Sequence, residues 1–146
     1  MAETRILRRL ASIRERQQER MREEAAKLQA QVRRLADEAD DATSALIDRR
    51  QAVAAANVDR HHAMQDAAAS RRRFGALVTR IDGDKQALAR QAEALEALRA
   101  EHRRADEARI AHNKRLNRVR RQCQGLEKLI GEAETAAEIS AELQQD

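Results

Sequence analysis

The chain has 146 residues, of which 37% are charged and 42% apolar, with no proline and a single aromatic side chain, Phe74. Aromatic residues carry much of the buried area of an ordinary core, so this composition argues against a conventional globular enzyme and for long helices or coiled coil. The net charge is +4, unevenly spread: residues 1–21 carry six basic and three acidic groups, 99–126 nine and three, and 127–146 one and six.

The N-terminus is charged and lacks the continuous apolar stretch of a signal peptide. No apolar run approaches the roughly 20 residues that span a bilayer. One cysteine, Cys123, provides no disulfide framework and fits a reducing compartment. The expectation is a cytoplasmic protein built as one structural unit.

The first arm places apolar residues at helical spacing: Ile6, Leu10 and Ile13, then Met21, Leu28, Val32, Leu35, Ala39, Ala42, Leu46 and Val53. The step from Ile13 to Met21 does not fit the heptad and reads as a stutter, which locally relaxes a left-handed supercoil.

The middle of the chain, Ser70 to Lys85, holds Phe74 and two of the four glycines. Arg71, Arg72 and Arg73 before Gly75 resemble a last helical turn and its cap, since cations suit the negative end of the dipole and glycine tolerates positive φ. Asp82-Gly83-Asp84 is a second turn signal, with Asp84 a candidate N-cap. These signals predict a first arm over 1–70, a tip over 71–83 and a second arm over 84–146.

The second arm keeps one heptad count. Its a positions are Phe74, Ile81, Leu88, Leu95, His102, Arg109, Leu116, Cys123 and Ile130. Its d positions are Leu77, Asp84, Gln91, Leu98, Ala105, His112, Val119, Leu126 and Ala133. Spacing held this long is a strong coiled-coil signal.

The fold class expected is all-α, a long antiparallel two-helix coiled-coil hairpin. With a turn near Gly75, Val32 meets Val119, Leu35 meets Leu116, Val53 meets Leu98 and Met21 meets Ile130. The basic N-terminal segment then lies beside Glu132, Glu134, Glu138 and Glu142. A register one heptad away, with its turn nearer Asp82 and Gly83, also pairs many apolar residues.

Motifs for catalysis and metal binding are missing. There is no phosphate-binding glycine loop, no nucleophile elbow and no metal-ligand spacing. His61 and His62 are adjacent and point about 100° apart on a helix. His102 and His112 read as a polar layer of the seam, and Cys123 as a small core residue. The chain is therefore read as a non-enzyme without cofactor or metal.

Arg71–Arg73 and Arg115–Arg121 could touch phosphates, but no aromatics interleave for base stacking. A solvated face or an acidic protein partner is the preferred reading, and no nucleic acid is expected. Ile6, Leu7, Leu10 and Ile13 are expected to pack on the second arm rather than lie on a membrane. Phe74, Leu77, Val78 and Ile81, ringed by Arg71, Arg72, Arg73 and Arg80, form either a docking patch or a local cap over the turn.

The length, the proline-free charged heptads, the start Arg5-Ile6-Leu7-Arg8-Arg9-Leu10, and the aromatic followed by aliphatics at Phe74, Val78 and Ile81 together resemble the FliJ/YscO family of stalk proteins. That resemblance implies a central stalk of type III secretion or flagellar export, coupling a hexameric export ATPase to the membrane export gate. It implies that Phe74, Leu77, Val78 and Ile81 contact the cytoplasmic domain of the gate protein. It also implies that Arg5, Arg8, Arg9, Arg14 and Arg16 contact the ATPase. A monomer at the cytoplasmic side of the inner-membrane apparatus is implied, with secretion chaperones as further partners. In that family the turn precedes the aromatic, which would put it between Asn57 and Ser70, earlier than the capping signals do. The alternative function is a homodimeric coiled-coil scaffold or a basic nucleic-acid-binding coiled coil.

Overall fold

A computed structural model describes residues 2–67 and 69–145. The described residues form two helices, α1 (Ala2–Asp66) and α2 (Arg71–Gln145), with no strand among them. The helices pack against each other, so the all-α two-helix hairpin expected from the heptads is the observed fold. Contacts group the chain into two compact units, Met1–Gln31 with Ala105–Asp146, and Val32–Arg104.

In the Val32–Arg104 unit the reversal comes earlier than the capping signals suggest. The N–H of Ala67 donates to the carbonyl of Ala63 at 2.9 Å, closing the last turn of α1. The N–H of Ser70 then donates to the carbonyl of Ala67 at 2.8 Å. Ser70 opens α2: its carbonyl accepts from the N–H of Phe74 at 3.1 Å, and its hydroxyl faces the N–H of Arg73 at 3.5 Å. A serine hydroxyl turned toward the N3 amide is the arrangement of an N-cap.

The predicted tip over 71–83 is therefore the start of α2. Gly75 and Gly83 are helical, and neither has positive φ. Arg71–Arg73 stand in the first turn of α2, not the last turn of α1, and Asp84 is no cap. The physical reason is a competition of magnitudes. Two helical glycines cost about 1 kcal/mol each, and a cation near a helix N-terminus about 0.3–1 kcal/mol. Against this, continuing the helix half-buries Leu77, Ile81 and Leu88, at about 1.5–3 kcal/mol for each aliphatic side chain fully covered.

Moving the reversal from Gly75 to just before Arg71 slides the facing residues by about two heptads, so the predicted pairs do not form. Val32 and Val119 fall in different units, as do Leu35 and Leu116. What faces Arg60 is Asp84, at 2.5 Å.

The heptad phase of α2 is as the sequence indicates. Every predicted a and d position from Leu77 to Ala133 is buried or half-buried; only Phe74 is exposed. In the Val32–Arg104 unit, Leu35, Leu46 and Leu95 are 3–4% exposed. One polar atom there lacks a partner among the described residues, the buried Oε1 of Gln91.

In the terminal unit the order of contacts is antiparallel. Arg8 pairs with Glu134, and nearer the middle of the sequence the ring Nε2–H of His112 donates to the carbonyl of Met21 at 2.8 Å. The core comes largely from α2, with Ala105, His112, Leu116, Val119 and Cys123 buried. On α1 the inward positions are Thr4, Leu7, Ala11, Arg14, Gln18, Met21, Ala25 and Leu28.

That series holds the heptad without the expected stutter. Ile6, Leu10 and Ile13, read as seam residues, stand outside it at 60%, 45% and 52% exposure. A continuous helix keeps its phase unless residues are inserted, and the phase carried by Met21 and Leu28 leads to Ala11 and Leu7, not to Leu10 and Ile6.

Candidate functional site

Two regions hold the residues singled out by sequence, one in each unit.

In the Val32–Arg104 unit the four predicted tip residues lie on consecutive turns of α2 but not on one open face. Phe74 is 42% exposed. Leu77, Val78 and Ile81 are half-buried. Leu77 and Ile81 belong to the seam against α1, which is why they cannot all present an open patch. Beside Leu77 is a shallow groove floored by Ala63, Ala67 and Ala76 and bordered by Asp66, Arg73 and Arg80. Small side chains on both helices leave this floor low. Arg73 and Arg80 are exposed at its border, and Arg71 and Arg72 are exposed in the same first turn of α2 as Arg73.

The first turn of α2 has no acidic residue and the last turn of α1 no basic one. Both ends run against the helix dipole. The Ser70 cap and the burial of Leu77, Ile81 and Leu88 offset this. A few residues before the connection, Arg60 holds together the adjoining turns: it reaches Asp84 on α2 at 2.5 Å and Asn57 on its own helix at 3.1 Å. Their side chains are 20% and 30% exposed, so this pair is far better shielded than a surface bridge.

In the terminal unit the predicted basic residues fall on different faces. Arg5, Arg8, Arg9 and Arg16 are exposed, whereas Arg14 is half-buried. Arg14 donates to the side-chain oxygen of Gln17 at 2.7 Å, one turn along α1. Arg8 pairs with Glu134, as the opposite charge of the two ends leads one to expect. Arg5, Ile6 and Arg8 border a groove shared with Glu134, Ala137 and Glu138.

Of the four apolar residues of the N-terminal segment, Leu7 packs inward as expected, whereas Ile6, Leu10 and Ile13 do not. Ile6, Leu10 and Ile13 look like core residues by spacing alone. The signal that separates them from the true seam lies further along α1, in the heptad that runs from Met21 to Leu46.

Cys123 is a buried free thiol. His61 and His62 are exposed, with Nδ1 of His61 turned to the carbonyl of Asn57 at 2.5 Å. Among the described residues no group of three or more His, Cys, Asp or Glu side chains could hold a metal ion, and no helix is long and apolar enough to cross a membrane. No family model, curated protein or solved structure matches the chain.

Proposed function

We propose that the protein is the non-enzymatic central stalk of a type III secretion or flagellar export apparatus, coupling a hexameric export ATPase to the membrane export gate. One observation carries this reading. The connection between the helices comes just ahead of Phe74, the order that the resemblance to the FliJ/YscO stalks implies, and Phe74 is left 42% exposed among arginines. An exposed aromatic that follows three exposed arginines in the first turn of α2 suits docking on an acidic, partly apolar surface.

In this reading Phe74 and the arginines around it meet the cytoplasmic domain of the gate protein. Leu77 and Ile81 support Phe74 from the seam, and Val78 lies beside them. Arg5, Arg8, Arg9, Arg14 and Arg16 meet the ATPase ring. A terminal unit only two helices thick suits a ring pore, and its mixed charges allow contact with successive subunits without one deep minimum. The working form is a monomer at the cytoplasmic side of the inner membrane, with secretion chaperones as additional partners.

The test is secretion in the native host. Phe74→Ala should abolish export while leaving helical dichroism unchanged; normal export by that variant removes the tip from the proposal. The other end is tested by capture of the cognate export ATPase with the full chain and with a chain lacking the first ten residues. Undiminished capture by the shortened chain refutes the assignment of the base. Light scattering should find a monomer, and an elongated dimer would favour a scaffold instead.

A further inference from the structure

The positive charge of the chain is concentrated in one stretch of the terminal unit. Residues 108–126 of α2 carry six basic residues and no acidic one, bounded by Asp106 and Glu107 on one side and Glu127 on the other. The whole chain has 29 basic and 25 acidic residues, so everything outside this stretch is net negative. The part of α1 in the same unit does not neutralise it, since residues 1–31 carry eight basic and five acidic groups.

Lys114, Arg118 and Arg121 stand at i, i+4 and i+7 on the outward face of α2, with Arg115 and Arg120 to either side, and all five are exposed. Of the six cations only Arg109 makes an ion pair among the described residues, with Asp106. Asn113, Asn117, Gln122 and Gln124 fill positions between them with neutral hydrogen-bonding groups. Arg120 and Asn117 also line a groove with Arg22 and Gln29 of α1, and no carboxylate lines it. Glu19 stands 3.8 Å from Arg22, outside that lining.

Like charges along one helix repel each other, and a face without internal counter-charge lowers that cost by binding an external polyanion. The chemistry of the face selects which one. An amphipathic protein helix would need an apolar stripe to bury. Ile110 is the one large apolar side chain of the stretch exposed among the described residues. A single nucleic-acid strand would need aromatic side chains on which to stack its bases, and the terminal unit has no Phe, Tyr or Trp. The backbone of a duplex needs only cations and hydrogen-bond donors, which Lys, Arg, Asn and Gln supply. At 1.5 Å per residue the stretch is about 28 Å long, most of one helical turn of a duplex.

We propose that residues 108–126 of α2 bind double-stranded nucleic acid through its phosphate backbone. The acidic tail of a second copy is the rival occupant, but Glu134 and Glu138 of that tail already border the basic head of their own chain, where Glu134 takes Arg8. The site stands whether or not the chain serves as an export stalk.

The probe is a labelled DNA duplex of about two helical turns, titrated with the full chain and read by fluorescence anisotropy. The logarithm of the affinity should fall linearly with the logarithm of salt concentration, with a slope of about −4 for five contacting cations. Lys114→Gln with Arg118→Gln and Arg121→Gln should weaken binding by about ten-fold or more at low salt and cut the slope by about 3. Helical dichroism should not change, because all three side chains are exposed. The control removes three exposed cations from the other unit, Arg49→Gln with Arg50→Gln and Arg90→Gln, and should leave the slope within about 1 of the wild type.

Absence of duplex binding at about 50 mM salt would overturn the proposal. So would equal losses from the two triple variants. Displacement of the duplex by polyglutamate or by anionic phospholipid vesicles at equal charge would give the face to an acidic protein or a membrane surface, and overturn it. A wild-type dimer in light scattering that the Lys114, Arg118 and Arg121 substitutions dissociate would give it to a second copy, with the same consequence.

Discussion

The Val32–Arg104 unit and the terminal unit follow one heptad rule with different side chains. In the first, both helices send large aliphatic residues inward: Leu35 and Leu46 from α1, Leu95 from α2. In the second, α2 supplies Leu116, Val119 and Cys123, while the facing stretch of α1 begins with Thr4, Leu7, Ala11, Arg14 and Gln18, of which only Leu7 is a large aliphatic. The larger residues Ile6, Leu10 and Ile13 of that stretch lie outside. The phase of a long helix is thus set by its most strongly apolar heptads and extended past them. A locally attractive triplet does not reset it, because doing so would require an inserted stutter.

The sharpest way to break this contrast is to truncate one residue of each kind. Leu95→Ala should destabilise the protein by about 2–5 kcal/mol, the range for deleting a buried leucine. Ile13→Ala, at a position 52% exposed, should stay within about 0.5 kcal/mol. Denaturant midpoints measure both, and equal losses would return Ile13 to the seam.

A second comparison sets against each other two ion pairs that join α1 and α2 among the described residues. Arg60 and Asp84 are 20% and 30% exposed, whereas Arg8 and Glu134 are 65% and 45% exposed. Arg60→Ala should cost about 1–2 kcal/mol, as for a partly shielded hydrogen bond between charged groups. Arg8→Ala should cost about 0.5 kcal/mol or less and nothing in high salt. If the two losses match, Arg60 is not holding the turns next to the connection.

The smallest expected effect decides the position of the reversal. Gly75 and Gly83 are helical, and an added Cβ at either would meet nothing within 4 Å. Gly75→Ala and Gly83→Ala should each raise stability by about 0.5–1 kcal/mol. A drop in melting temperature for either would mean that the glycine caps a helix after all.

The proline-free composition and the unbroken a/d series from Leu77 to Ala133 were enough to read two long helices and the inward face of α2. The basic head and acidic tail were enough to anticipate Arg8 against Glu134. For the candidate sites, sequence reached the identity of the exposed residues Phe74, Arg5, Arg9 and Arg16, but not which of their neighbours are available. Leu77 and Ile81 are held by the seam, and Leu10 and Ile13 are not.

The amino-acid sequence by itself determined the helices and their periodicity, because propensity and heptad spacing act over a few residues at a time. Only the tertiary structure decided where the chain reverses, and with it the register and the faces left open. Capping and glycine preferences near Gly75 and Gly83 are worth about 1 kcal/mol each. Packing α2 from Arg71 onward against α1 sums over many side chains, and that larger, non-local quantity is not visible at any single position.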